Sequence, residues 1–235
     1  MDKCPYYATC NHHACDDLVC VKKCKLNELY SLAGLSEKQK IRVILKVDEN
    51  VETSDLAAFT KLSDIEKNIN IFVEKGFNLY LHASTCGNGK TSWAVRLVQS
   101  YFNQNWAKLD LSCHVLFIST PSYLNALKRN MNTRDEYAIF VNQNVFEADL
   151  VVWDDIASKN GSEYDLDQLF NVLNRRMQSG KANIFTSNLN DTELYSALGP
   201  RLASRISRES INIELKGTDK RNLGYQELWS NVRND

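Results

Sequence analysis

The chain has 235 residues, enough for one substantial core and a small appendage. A hydrophobic content of 43% and a charged content of 24% are those of an ordinary globular protein, and a formal net charge of −1 excludes a global field that would draw the chain to nucleic acid or membrane. No apolar run approaches a membrane span and the first residues carry no signal-peptide core, so no membrane contact and a cytoplasmic location are expected; there, seven cysteines point to metal rather than to disulfides.

Residues 1–24 hold Cys4, Cys10, Cys15, Cys20 and Cys24, with His12 and His13 among them. The segment has little apolar material, so a metal would have to supply the stabilisation that a core cannot. Four thiolates suit a tetrahedral zinc site, and Cys4, Cys10, Cys15 and Cys20 are the expected ligands. The spacing C-x5-C-x4-C-x4-C is looser than paired CxxC, which leaves open that Cys24, His12 or His13 replaces one ligand, that an iron–sulfur cluster is held, or that the thiols carry nothing. Cys24 also falls in a helical pattern with Leu26, Leu29, Tyr30 and Leu32.

Residues 25–46 read as a helix, a break at Gly34 and a second short element containing Ile41, Val43, Ile44 and Leu45. The acidic, aperiodic stretch that follows reads as a connection. This gives an N-terminal module over 1–46, a linker over 47–58 and a main domain over 59–235. Ser63-Asp64-Ile65-Glu66 has capping-box form, predicting an amphipathic helix that carries Ile65, Ile69, Phe72 and Val73 and ends near Gly76.

The stretch on which the reading turns comes next. The apolar run Phe77–His82 leads into Ser84-Thr85-Cys86-Gly87-Asn88-Gly89-Lys90-Thr91, and a helical pattern with Trp93, Ala94, Leu97, Val98 and Tyr101 follows. Strand, glycine-bearing loop and helix are the setting of a phosphate-binding loop. Gly87 and Gly89 let successive N–H groups turn toward an anion, and the helix adds its positive end. Lys90 is expected on the β- and γ-phosphates of ATP and Thr91 on Mg²⁺. Ser84 stands where the GxxxxGK[ST] pattern has its first glycine.

Cys113–Thr120 reads as a second buried strand. Thr120 and Pro121 make an N-cap and first-turn pair for a helix carrying Tyr123, Leu124 and Leu127 and ending in Lys128 and Arg129. Asp149–Ile156 reads as a strand that delivers Asp154 and Asp155 to its C-terminal end, where ligands sit in open α/β sheets. Asp154 is expected to hold Mg²⁺ and Asp155 to orient or deprotonate the attacking water. Leu166, Leu169, Phe170, Leu173 and Met177 form a helical stripe, with Arg175, Arg176 and Lys181 at its end serving either the helix dipole or a functional role. Asn183–Asn188 is a further strand, which places Asn188 beside the two aspartates. Arg201 and Arg205 share one helix face after Pro200. Ile211–Leu215 alternates like a strand, and Lys216–Arg221 then turns back.

In this order the motifs resemble those of bacterial helicase loaders of the DnaC/DnaI type within the AAA+ ATPases, over most of residues 60–228; the cysteine-bearing start looks like that of DnaI-like loaders, phage and prophage versions especially. The resemblance implies a three-layer α/β sandwich around a central parallel sheet, preceded by a small zinc-binding domain that engages the helicase. It implies that Lys90 and Thr91 are the Walker A pair, Asp154 and Asp155 the Walker B pair, Asn188 the sensor-1 residue, and Arg205 an arginine finger acting on a neighbour's nucleotide. Arg221 would touch phosphate, and Tyr123, Lys128 and Arg129 would line a path for single-stranded DNA. The implied activity is ATP hydrolysis, weak in a monomer and raised on self-assembly with a hexameric replicative helicase, which the protein would help to seat on single-stranded DNA. A transposase-helper ATPase of the IstB type and a non-hydrolysing zinc adaptor on the same scaffold are the alternatives.

Overall fold

The computed structural model describes residues 18–41, 45, 55–157 and 162–217. Five strands form one sheet: β1 (Asn78–His82), β2 (Val115–Ser119), β3 (Leu150–Asp154), β4 (Ala182–Ser187) and β5 (Ile211–Glu214). Their order is β2-β3-β4-β1-β5 and every neighbouring pair is parallel. Parallel neighbours need helical crossovers, and helices on both faces bury the central strands. Hence β1 and β4 are buried at every position, and their sequences read as near-continuous apolar runs.

Strand alternation sorts these side chains into two cores. Leu79, Leu81, Val152 and Ile184 face one layer, built from α1 (Leu18–Leu32), α3 (Leu56–Lys67), α4 (Ile69–Glu74) and α5 (Lys90–Asn105). Tyr80, Val151, Trp153 and Phe185 face the other, built from α6 (Thr120–Asn130), α7 (Glu136–Asn144), α8 (Glu163–Gln178) and α9 (Asp191–Arg208). A short α2 (Glu37–Lys40) follows α1. The three-layer α/β architecture is as expected.

One local expectation fails. The residues from Ser63 do not open a helix: α3 begins seven residues earlier at Leu56, where Ala57, Ala58 and Phe59 are competent helix formers, and the break falls at Asn68, whose side chain caps back onto the Asp64 carbonyl at 3.0 Å. Helix α1, on the N-terminal side of residue 46, shares a core with the sheet. Leu29 and Ala33 are wholly buried in the same core as Phe102 of α5, Tyr30 meets Phe102 edge-on at 5.7 Å, and the Ala33 carbonyl accepts the N–H of Phe117 on edge strand β2 at 2.7 Å. Cys4, Cys10 and Cys15 lie outside the described residues. Cys20 and Cys24 sit half-buried on α1.

Arg176 resolves the basic cluster on α8. It continues the buried stripe of Leu169 and Leu173 and is itself fully buried. Its guanidinium donates to the carbonyls of Val145, Ala148 (2.9 Å) and Ala182 (2.8 Å), and to Asn183 Oδ1 (2.8 Å). Burial pushes its pKa down to about 9, against the pull of Asp149, so it stays charged at neutral pH. Asn183 in turn accepts from Trp153 Nε1 at 3.2 Å and donates to Asn78 Oδ1 at 2.8 Å. Arg175 instead lies over the Phe146 ring, 3.8 Å from its centroid. Within α9 the helical path breaks at Gly199, whose φ of 74° favours glycine, and Pro200 then starts a second helical stretch.

Candidate functional site

Parallel strands put all their C-terminal ends on one edge. The β4 strand lies between β1 and β3, with Leu81 opposite Thr186 and Trp153 opposite Phe185. The loop 83–89 leaves β1 at this edge and enters α5 through Gly87 (φ 78°) and Gly89 (φ 102°), a left-handed geometry that favours glycine at these positions. Ser84, Thr85 and Cys86 are exposed at the loop tip. Asn88 and Lys90 turn inward and are only 3% and 6% exposed. The Lys90 ammonium donates to the Thr85 carbonyl at 3.1 Å and to Asn88 Oδ1 at 3.0 Å, so it is folded over its own loop.

Thr91, first residue after Lys90, donates its hydroxyl to Asp154 Oδ1 at 3.0 Å. The Thr186 hydroxyl donates to the same oxygen at 2.6 Å and accepts the N–H of Asp155 at 3.0 Å. Burial pushes the Asp154 carboxyl up; the bonds from Thr186 and Thr91 hold it down, Asp155 raises it further and Lys90 lowers it. Lys90 and Asp154 are thus within electrostatic reach of each other. The hydroxyl at the start of α5 and the strand carboxylate converge as the hard oxygen donors that Mg²⁺ takes, and a cation there would restore the charged form that burial disfavours. Asp155 adopts φ 54°, a left-handed conformation that aspartate tolerates better than most residues and that turns the chain out of β3 just past the sheet. Asn188 lies half-buried one residue beyond β4. Nothing local in the sequence distinguishes Thr186, since threonine is an ordinary strand former.

Arg205 lies elsewhere. The α9 helix starts at the C-terminal edge of the sheet and runs back; Glu209, at its end, lends its carbonyl to Asn78, the first residue of β1, at 3.1 Å. Arg205 sits one turn before this, pairs with Glu209 at 2.5 Å, and lines an open groove with Phe170, Pro200, Arg201 and Ser204. It therefore lies near the opposite edge of the sheet from the 83–89 loop. Arg221 lies outside the described residues.

Of the residues expected to line a DNA path, Tyr123 is 1% exposed and spends its hydroxyl on Asn142 at 2.8 Å. A buried ring cannot stack on a base, so Tyr123 belongs to the core. Lys128 and Arg129 do reach solvent, each in an ion pair: Lys128 with Asp165 at 2.6 Å and Arg129 with Asp135 at 2.8 Å. Among the described residues no His, Cys, Asp and Glu cluster has metal-site geometry, and no helix is long and apolar enough to cross a membrane.

The family model described as the bacterial DnaA ATPase domain matches residues 53–212. Similar solved structures include the DnaC helicase loader, 20% identical, with 77% of this chain and 100% of that chain covered at a TM-score of 0.61. A putative primosome component from Streptococcus pyogenes serotype M3 is 17% identical, with 83% and 98% covered and a TM-score of 0.61. DnaA from Aquifex aeolicus bound to AMPPCP is 18% identical, covers 77% of this chain and 51% of that one, and has a TM-score of 0.51. At these identities the likeness is one of fold. No curated protein sequence matches the chain.

Proposed function

Because the chain belongs to the bacterial DnaA ATPase-domain family, we propose that it is an ATP-driven loader that assembles on a hexameric replicative helicase in the cytoplasm and helps to seat it on single-stranded DNA. The observation that carries this reading is the convergence of Thr91, Asp154 and Thr186 beside Lys90, on one edge of a parallel sheet. The likeness in fold to DnaC, whose structure is described as that of a helicase loader, supports the choice of partner.

In this reading Ser84–Gly89 wrap the triphosphate with backbone N–H groups. Lys90 leaves Thr85 and Asn88 for the β- and γ-phosphates. Thr91 and Asp154 would hold Mg²⁺, which when bound would supply positive charge against the transferred phosphoryl group. Thr186 holds Asp154 and, through the Asp155 N–H, sets the backbone turn from which Asp155 orients water. Asn188 fixes the position of that water, Arg205 reaches a neighbouring protomer's nucleotide, and Arg221 adds a phosphate contact. Lys128 and Arg129 can meet a DNA backbone by exchanging Asp165 and Asp135 for phosphate.

Turnover should be low for the protein alone and should rise on adding a hexameric replicative helicase with single-stranded DNA. Lys90→Ala should weaken ATP binding by about 100-fold, since a charge-assisted contact to phosphate is lost. Titration with a fluorescent ATP analogue and a phosphate-release assay check both points. Stimulation by a transposase instead would favour the IstB-type alternative, and no turnover under any condition the zinc adaptor.

In the same reading residues 1–46 carry the helicase contact, with zinc on Cys4, Cys10, Cys15 and Cys20; residues 47–58, of which 56–58 already belong to α3, join them to the ATPase of residues 59–235. Elemental analysis should find about one zinc per chain, the stoichiometry of a Cys4 site. The double substitution Cys10→Ser/Cys20→Ser should remove it; full retention would show that other residues bind the metal.

A further inference from the structure

The residues just past β5 are bonded on two sides. On one side lies the phosphate loop: the Thr85 hydroxyl donates to the Gly217 carbonyl at 3.2 Å, and the Asn88 amide donates to the Leu215 carbonyl at 3.4 Å. On the other side lies Asp55, the residue that opens α3. It is 2% exposed, and its carboxylate does not cap its own helix. Instead it accepts the N–H of Lys216 at 2.6 Å and the N–H of Gly217 at 3.1 Å. Leu215 N–H is further tied to the His82 carbonyl at 2.8 Å, at the root of the same loop.

The geometry points to Asp55 as a positioning residue for nucleotide binding, acting through residues 215–217 on the phosphate loop. The proposal rests on the nucleotide-binding reading above. A loop with two left-handed glycines has much backbone freedom to lose when it closes on an anion. Two side-chain hooks, Thr85 and Asn88, remove part of that freedom beforehand, and preorganisation of this kind raises affinity without touching the ligand. The hooks hold only as firmly as the carbonyls they engage. Asp55 fixes both peptide groups around Lys216 through charge-assisted bonds, the stronger kind. The coupling is reciprocal: a nucleotide that orders the loop must also order residues 215–217, the point from which the last part of the chain departs.

The test uses the full chain as wild type, Asp55→Ala and Asp55→Asn. Binding of a fluorescent ATP analogue is titrated, and amide hydrogen exchange is followed at 83–89, at 211–217 and at the central strand peptide 182–187. Asp55→Ala should bind about 10-fold more weakly, the loss of one good charge-assisted bond's worth of ordering. Exchange should quicken at 83–89 and 211–217 with 182–187 unchanged. Asp55→Asn keeps an acceptor oxygen and should stay within about 3-fold of wild type. In wild type, the analogue should slow exchange at 211–217. The proposal is overturned if Asp55→Ala binds as wild type does with the loop unchanged, or if both variants speed exchange at 182–187 equally, which marks a general loss of fold. A wild-type protein that binds no analogue would instead sink the nucleotide reading, while the exchange data still report on the clasp.

Discussion

Arg205→Ala should lower ATP turnover of the assembled protein by about three orders of magnitude, the effect of losing an arginine supplied in trans, while ATP affinity of the isolated chain stays within about 2-fold, inside the scatter of surface substitutions. The basis is the direction of α9. It carries Arg205 toward the N-terminal edge of the sheet, where Glu209 meets Asn78, whereas the phosphate loop opens at the other edge. Arg205 therefore lies at the edge away from the 83–89 loop of its own chain, paired with Glu209. An exposed pair of this kind contributes a few tenths of a kcal/mol and is easily exchanged for phosphate. The decisive measurement mixes two inactive proteins. Arg205→Ala retains its loop and Lys90→Ala retains its finger, so a mixture forms some interfaces with both parts intact. Turnover in the mixture should exceed the sum of the separate proteins. Equal turnover for Arg205→Ala and wild type on the helicase, or no gain on mixing, would show that the finger assignment is wrong.

Arg176→Ala should cost about 3–5 kcal/mol of folding stability, in the range for removing one member of a buried charged network. For a chain of this size that is a fall in Tm of roughly 10 °C. The substitution strands the buried carbonyls of Val145, Ala148 and Ala182 and one acceptance by Asn183 Oδ1. Each loses a charged donor in a place water does not reach. Asn183 also holds Trp153 and Asn78, so the loss reaches β1, β3 and β4 together. Arg176→Lys keeps the charge but not the planar fork, and should recover only part of the loss. Urea unfolding followed by tryptophan fluorescence checks this. A cost below about 1 kcal/mol would place Arg176 among ordinary surface substitutions.

The sequence was informative where chemistry forces local pattern. Gly87 and Gly89 mark the phosphate loop because the turn there needs a positive φ, and the apolar runs around 79, 116, 151 and 184 mark strands buried on both faces. Asp154 and Asp155 stood out because carboxylates at the end of such a run are costly unless used. Pattern was silent where a residue's partner is distant. Thr186 looks like any strand threonine until Asp154, 32 residues away, is beside it. Asp55 looks like linker, and its two donors are more than 160 residues on. Tyr123 was misread because an aromatic residue before Lys128 and Arg129 fits both a core stripe and a DNA surface; the arbiter, Asn142, lies 19 residues further on. Arg175 and Arg176 are neighbours with opposite fates, separable only because 169, 173 and 176 share a helix face.

The hold of α1 on α5 and on the rim of β2 has a practical bearing on how the chain can be divided. Cut at residue 46, the larger piece would present a greasy furrow where Leu29 and Ala33 had lain, and Phe117 would lose its mate on an open strand. Such a rim invites a stranger's strand. Helix α1, with Cys20 and Cys24 on it, is thus rooted in the sheet's own core rather than strung from it.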